Sequence, residues 1–228
     1  MQAARYISLE QMEELTERIL MDYGFDPYDK MIRPVPIEEI IEFHFDLNIG
    51  WEPIDHLDQQ GMVMAAIFPT EKQIVLNETH RDLFEEKIGT YHFTLAHELG
   101  HWVLHAQGTP YWTRLSKARV ELSVAHTAAP FYCRSFAQKP MVEVQADLFA
   151  GCLLMPRPIL ERAITQLRRI GLIQLSHLYR LAEGLRVSIS ALTVRLTQAQ
   201  LLHIDSNGRI YFWGAQDRTE HVQLSIEF

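Results

Sequence analysis

The segment FTLAHELGHWVLH, residues 93 to 105, constrains the fold more than any other part of the chain. Its apolar residues recur at helical spacing and predict a helix from about Tyr91 to His105 that is buried along one side. His97, Glu98 and His101 lie within this apolar sequence, and the two histidines, four residues apart, project from one face. Such side chains are either hydrogen-bonded in the core or share a metal ion.

The order H-E-x-x-H favours the metal ion. Two imidazoles one turn apart reach a single ion at roughly 2.0 to 2.1 Å, and Glu98 can flank that ion without binding it. His105 continues the same stripe, but it lies ~12 Å along the axis from His97 at about 1.5 Å per residue, which is too far for both to bind one ion. Because a catalytic zinc site uses three protein ligands, another element must supply the third.

A second helix is predicted over MVEVQADLFAGCLLM, ending before Pro156. Glu143 and Asp147 are four residues apart on one face of it, so Glu143 would ligate the metal while Asp147 accepts the free N–H of a ligating histidine. A first-turn glutamate behind Pro140 is also favoured by the helix dipole alone. Together with His97 and His101, however, Glu143 is interpreted as the third ligand.

Composition and charge exclude several classes of protein. The formal net charge of −8 over 228 residues disfavours nucleic acid and anionic membranes as general partners. The chain lacks an apolar run of membrane-spanning length, its N-terminus does not look like a signal peptide, and its cysteines are limited to Cys133 and Cys152. The sequence therefore predicts a cytoplasmic protein with no membrane partner, and it leaves the oligomeric state open.

The remaining pattern mixes helices and short strands. Residues 8 to 23 predict a helix with a Ser8–Gln11 capping box, and residues 37 to 45 predict a short one. A strand is expected over 47 to 54, and residues 62 to 77 predict a hairpin whose edge strand would pair with an extended peptide. Residues 106 to 139 have no regular pattern, and the candidate oxyanion donors Tyr132, His126 and Arg134 lie among them.

The C-terminal part has the form of a helix-turn-helix over residues 172 to 202. A DNA-binding role would direct Arg186, Arg195 and Ser188 or Ser190 at phosphates. DNA is possible but not favoured, because the second helix offers few base-reading side chains. The alternative is a helical segment packed on the rest of the chain, since its apolar positions exceed what such a short unit could bury alone. Asn207-Gly208 then predicts a terminal β-hairpin.

The two helical motifs resemble those of the ImmA/IrrE-type metallopeptidases, relatives of the thermolysin-like gluzincins. The resemblance rests on FTLAHELGHWVLH and EVQADLFAGCLLMP, with PVPIEEIIEFHFDLNI and GMVMAAIFPTEKQIVLN upstream, and covers roughly residues 33 to 200. It implies a zincin-like α+β fold, with His97, His101 and Glu143 as Zn²⁺ ligands and Glu98 as the general base.

The resemblance also implies an organisation and a function. We expect a zincin-like core over residues 1–156, a helix-turn-helix-like segment packed on it over 157–203, and a β-hairpin over 204–228. The expected activity is site-specific cleavage of a protein, a transcriptional repressor in a stress-response or mobile-element circuit. The alternative is a DNA-binding or protein-binding regulator that keeps the fold without turnover. Intact Glu98 favours the enzyme, because a binding module needs no base beside the metal.

Overall fold

The computed structural model describes residues 7–58, 62–106, 131–132, 140–205 and 208–212. Its longer helices in this part of the chain are α1 (Leu9–Tyr23), α2 (Ile37–Glu39, continued by a π-helical turn at Ile40–His44), α3 (Arg81–Glu86), α4 (Ile88–His105), α5 (Met141–Leu154), α6 (Arg157–Ile170), α7 (Leu175–Gly184) and α8 (Ile189–Gln198). Its strands are β1 (Asn48–Glu52), β2 (Ala65–Phe68), β3 (Gln73–Asn77), β4 (Phe131–Tyr132), β5 (Leu202–Ile204) and β6 (Ile210–Phe212). The predicted α+β class is confirmed.

The first helix begins as its sequence predicts. The Ser8 hydroxyl accepts from the Gln11 backbone N–H at 3.2 Å, and the Gln11 side chain accepts from the Ser8 backbone N–H at 3.1 Å. This reciprocal capping box satisfies two backbone donors that a helix start leaves unpaired. Gly24 ends the helix with φ of 97°, a left-handed conformation that glycine adopts at low cost.

The larger sheet has the strand order β1-β3-β2-β4. β3 is paired in parallel with β1 and antiparallel with β2, so the predicted hairpin is present. The free edge strand predicted for that hairpin is absent from the described sheet. Ala66 and Ile67 of β2 pair with Tyr132 and Phe131 of β4. The sequence could not indicate this pairing because β4 comes from the irregular segment.

Helix α4 packs under this sheet and against α5. It begins at Ile88, three residues before the predicted start. Gly100 allows the two helices to come close: a Cβ on it would lie 3.1 Å from Phe149 Cδ1 and 3.2 Å from Ala146 Cα. The side chains of α4 and α5 that face each other are thereby brought within bonding distance.

The C-terminal helices share the same hydrophobic core as α4 and α5. Leu178, Leu185, Leu192 and Leu196 are fully or almost fully buried in that core. The connection between α7 and α8 lies against the start of α4, where a Cβ on Gly89 would come 2.5 Å from the Ser188 backbone nitrogen. Strands β5 and β6 then pair as the predicted hairpin, which begins at Leu202 rather than at residue 204.

Arg195, which a DNA-binding role would direct at phosphates, does not face solvent. Its side chain is 1% exposed and its guanidinium donates to Glu13 of α1 at 2.7 Å and to the Met155 carbonyl at 3.2 Å. The hydroxyl of Ser188 is also engaged within the chain: it accepts from the Ala191 backbone N–H and caps α8. No helix among the described residues is both long enough and apolar enough to cross a membrane.

Candidate metal centre

Helix α4 places His97, Glu98 and His101 in the interior. All three side chains are 0% exposed, although each is polar and two of them carry lone-pair nitrogens. Burial of such groups is costly unless each finds a partner. The two histidines find partners on α5, the second predicted helix.

Glu143 and Asp147 of α5 face the two histidines. The Glu143 carboxylate lies 3.2 Å from His97 Nε2 through one oxygen and 3.4 Å from His101 Nε2 through the other. Asp147 Oδ1 lies 2.9 Å from His97 Nδ1, the ring nitrogen on the opposite side from Glu143. The structure therefore brings the three predicted ligands and Asp147 together, and Glu98 lies close enough to His97 and Glu143 to feel their charges.

The three candidate ligands place their donor atoms at separations close to those around a bound metal ion. His97 Nε2 and His101 Nε2 are 3.1 Å apart; His97 Nε2 is 3.2 Å from one Glu143 oxygen, and His101 Nε2 is 3.4 Å from the other. Bonds of about 2.0 to 2.1 Å in a tetrahedron separate neighbouring ligand atoms by roughly 3.3 Å. Within the described residues, these three are the group of histidine, cysteine or acidic side chains close enough to hold a metal ion together.

The protonation states of the centre also suit a cation. Burial lowers the pKa of His101, which leaves its imidazole neutral and its lone pair available at neutral pH. Burial would raise the pKa of Glu143, but hydrogen bonds from His101 and His97 outweigh it and hold that pKa at about 2. Glu143 is therefore an anion beside the neutral His101 ring, and an anionic ligand of this kind favours a cation in the centre.

Glu98 is a buried carboxyl group with no hydrogen-bond partner among the described residues for either oxygen. Burial raises its pKa to about 8, and the charge of Glu143 adds to that rise while His97 opposes it. The backbone N–H of Ile67 on β2 faces the carboxylate and also opposes the rise, without completing a well-formed hydrogen bond. An unpartnered carboxyl beside a candidate metal centre is a feature of catalytic sites rather than of stable cores.

His105 and Gln145 extend the cluster in a way that the sequence reasoning missed. His105 Nδ1 lies 3.1 Å from His101 Nδ1, and His105 Nε2 lies 3.1 Å from Gln145 Oε1. His105 is outside the group that can hold the metal, as its distance along the helix predicted. Its spacing of four residues from His101 was the available signal for a contact between the two rings.

The candidate oxyanion donors His126 and Arg134 lie outside the described residues. Tyr132 lies in β4 and is described only through its backbone, which pairs with Ala66 of β2. Their assignment stays a prediction. The walls of the centre that the structure does describe are α4, α5 and strand β2.

Comparison with known proteins gives one family match. The family model Peptidase_M78, described as the IrrE N-terminal-like domain, matches residues 48–197. This range begins at β1, ends in α8 and includes every residue of the candidate metal centre. A comparison with curated proteins finds no match.

Proposed function

Since the chain belongs to the Peptidase_M78 family of IrrE N-terminal-like domains, we propose that it is a zinc-dependent endopeptidase. The observation that carries this proposal is the unpartnered, fully buried Glu98 carboxyl beside the converging His97, His101 and Glu143. The family match supports peptide hydrolysis by a metal-dependent route. The identity of the metal and the roles of the residues are inferred from their geometry.

Zinc fits this donor set best. Two imidazole nitrogens and one carboxylate form the donor set of many catalytic zinc sites, and His97, His101 and Glu143 would hold the ion. Zinc held by these residues would supply the Lewis acidity that peptide hydrolysis needs. Cys152 is buried close to Arg195 and is not part of the group, so no thiolate is required.

Glu98 would act as the general base and then as the general acid. Its carboxyl accepts the proton of the attacking water and passes it to the nitrogen of the leaving amine. A raised pKa suits this shuttle, because a group that titrates near neutrality can both take up and release a proton. Asp147, 2.9 Å from His97 Nδ1, holds that ring with its Nε2 lone pair toward the centre.

The proposed substrate is a protein, and the family resemblance favours a transcriptional repressor in a stress-response or mobile-element circuit. A repressor of this kind would be met in the cytoplasm. The sheet beside Glu98 suits an extended substrate segment, because β2 carries the Ile67 N–H that faces the carboxyl. Ala66 and Ile67 already pair with β4, so a substrate strand would align next to β4 or replace it.

The regulator alternative is less well supported. Helix α8, the second helix of the helix-turn-helix-like segment, contains one basic residue, Arg195, and that side chain is buried against Glu13. Its exposed face carries Ser190, Val194, Thr197 and Gln198, none of which is charged. Affinity for duplex DNA depends mainly on cations that face phosphates.

The proposal is tested by incubating the purified chain with the helix-turn-helix repressor encoded beside its gene. Zinc-loaded wild-type protein should cut the repressor at one site, and a chelator should abolish the cut. Glu98→Gln is the matched variant, because it preserves shape and zinc but removes the proton acceptor. Cleavage by Glu98→Gln at near wild-type rate would refute the role of Glu98.

A further inference from the structure

We propose that His105 and Gln145 are positioning residues for the ligand His101, as Asp147 is for His97. This inference rests on the proposed function, since it assigns protons on the assumption that both histidines offer Nε2 to a metal ion. It concerns a hydrogen-bonded chain of three side chains that crosses from α4 to α5: His101, His105 and Gln145.

The direction of this chain follows from counting protons. A histidine that binds a metal through Nε2 must carry its proton on Nδ1, so His101 donates from Nδ1 across the 3.1 Å contact. His105 Nδ1 must then accept and offer a lone pair. A neutral His105 consequently carries its own proton on Nε2 and donates it to Gln145 Oε1, 3.1 Å away.

The reverse direction is incompatible with ligation. If Gln145 presented its NH₂ group to His105, His105 would carry its proton on Nδ1 and donate to His101. His101 would then hold its proton on Nε2, the atom that lies 3.1 Å from His97 Nε2 and 3.4 Å from Glu143. The Gln145 carbonyl oxygen therefore selects the tautomer of His101 from two hydrogen bonds away.

Gln145 is placed to do this reliably. It is 4% exposed, and a buried amide is held by its hydrogen bonds because losing one costs free energy. It lies on α5 between Glu143 and Asp147, so one helix carries a ligand, the partner of His97 and the partner of His105. The two direct contacts differ in charge: His97 Nδ1 faces the Asp147 carboxylate, whereas His101 Nδ1 faces the imidazole of His105, which in turn contacts the Gln145 amide.

One consequence is an unequal contribution of the two supports to zinc affinity. A carboxylate raises the basicity of the histidine that it faces, and a neutral acceptor does so less. Loss of the Asp147 carboxylate should therefore weaken zinc more than loss of the Gln145 acceptor. Each of these two changes should weaken zinc binding more than the replacement of a buried histidine on α4 that does not face the metal.

The first test measures zinc affinity by competition with a chelator, using the full-length chain. His105→Phe and Gln145→Met remove an acceptor at nearly constant volume and should weaken zinc about 10- to 100-fold. Gln145→Glu keeps an acceptor for His105 and should stay within about threefold of wild type. His92→Phe is the matched control, because His92 is also buried on α4 but bonds the Arg186 carbonyl at 3.2 Å.

The second test determines which ring nitrogen of His101 and of His105 carries the proton. Long-range ¹H–¹⁵N spectra of the zinc-loaded wild-type chain should show His101 protonated on Nδ1 and His105 on Nε2 alone, and His105→Phe should remove the second signal. A proton on His105 Nδ1 would overturn the inference, as would zinc affinity in His105→Phe and Gln145→Met that equals that of His92→Phe. If the wild-type chain bound no zinc, the proposed function would fail and this inference with it; equal affinities with intact zinc binding would overturn this inference alone.

Discussion

Glu98 is the residue at which burial and charge conflict most strongly. Its carboxyl is fully buried with no hydrogen-bond partner in the described part of the chain, and its pKa is raised to about 8. A carboxyl whose pKa is higher in the folded state than in the unfolded state destabilises the fold as pH rises. The loss in free energy of unfolding begins as pH rises past the unfolded pKa of 4.5, and it grows until pH reaches about 8.

We therefore predict that Glu98→Gln stabilises the metal-free protein at pH 8 more than at pH 5. The gap in the free energy of unfolding between variant and wild type should grow by about 2 to 3 kcal/mol over this range, because one pKa unit corresponds to about 1.4 kcal/mol. Denaturant unfolding in the presence of a chelator measures it. Glu86→Gln, an exposed carboxylate on α3, is the control, and a gap for Glu98→Gln no larger than that of this control would contradict the prediction.

The pair of helices α4 and α5 is the element that builds the centre. Their close approach depends on Gly100, since a Cβ there would press on Phe149 Cδ1 at 3.1 Å and on the Ala146 backbone at 3.2 and 3.3 Å. A ring can turn aside, but the backbone of a packed helix yields only if the helix moves. Movement of α5 would carry Glu143 away from the two histidines.

Gly100→Ala should therefore lower both stability and zinc affinity. Overpacking costs about 1 to 3 kcal/mol, which exceeds the roughly 1 kcal/mol that alanine contributes to helix propensity. Gly184→Ala in α7 is the matched control, because no atom lies within 4 Å of its Cβ position, and it should be neutral or stabilising. Thermal unfolding and chelator competition compare the two variants; equal behaviour would show that the space at Gly100 is not required.

Particular residues show what the sequence could and could not predict at this scale. The spacing of His97 from His101 and of Glu143 from Asp147 follows from helix geometry, so each pair could be placed on its own helix in advance. The contact of His105 with Gln145 depends on how the two helices cross, which is a tertiary property. The pairing of β2 with β4 could not be anticipated either, because two residues within an irregular segment carry no strand pattern.

At the scale of the whole molecule, Glu13 joins three distant parts of the chain. Its carboxylate accepts from Arg157 at the start of α6 at 2.9 Å and from Arg195 of α8 at 2.7 Å. The sequence placed Arg195 at phosphates only in a DNA-binding role, and its buried position was not predicted. Its partner lies 182 residues away in the sequence, so no local pattern could reveal the burial.

Breaking this junction should destabilise the whole chain. Arg195→Ala leaves Glu13 short of a buried partner and opens a cavity, and we expect a loss of about 3 to 5 kcal/mol in the free energy of unfolding. Arg180→Ala, on the exposed side of α7, is the control and should change stability by less than about 0.5 kcal/mol. Denaturant unfolding measures the stability of both variants. If Arg195→Ala were as stable as the control, the buried ion pair would contribute nothing to the free energy of unfolding.

The zinc content of purified variants tests the central claim most directly. Elemental analysis should find one zinc per chain in the wild-type protein and in Glu98→Gln, because Glu98 flanks the metal without binding it. His101→Ala and Glu143→Ala should lose it, whereas replacing Cys133 and Cys152 by serine should leave it unchanged. Zinc retained at one per chain after loss of His101 or Glu143, or lost with the cysteines, would contradict the assignment of the centre.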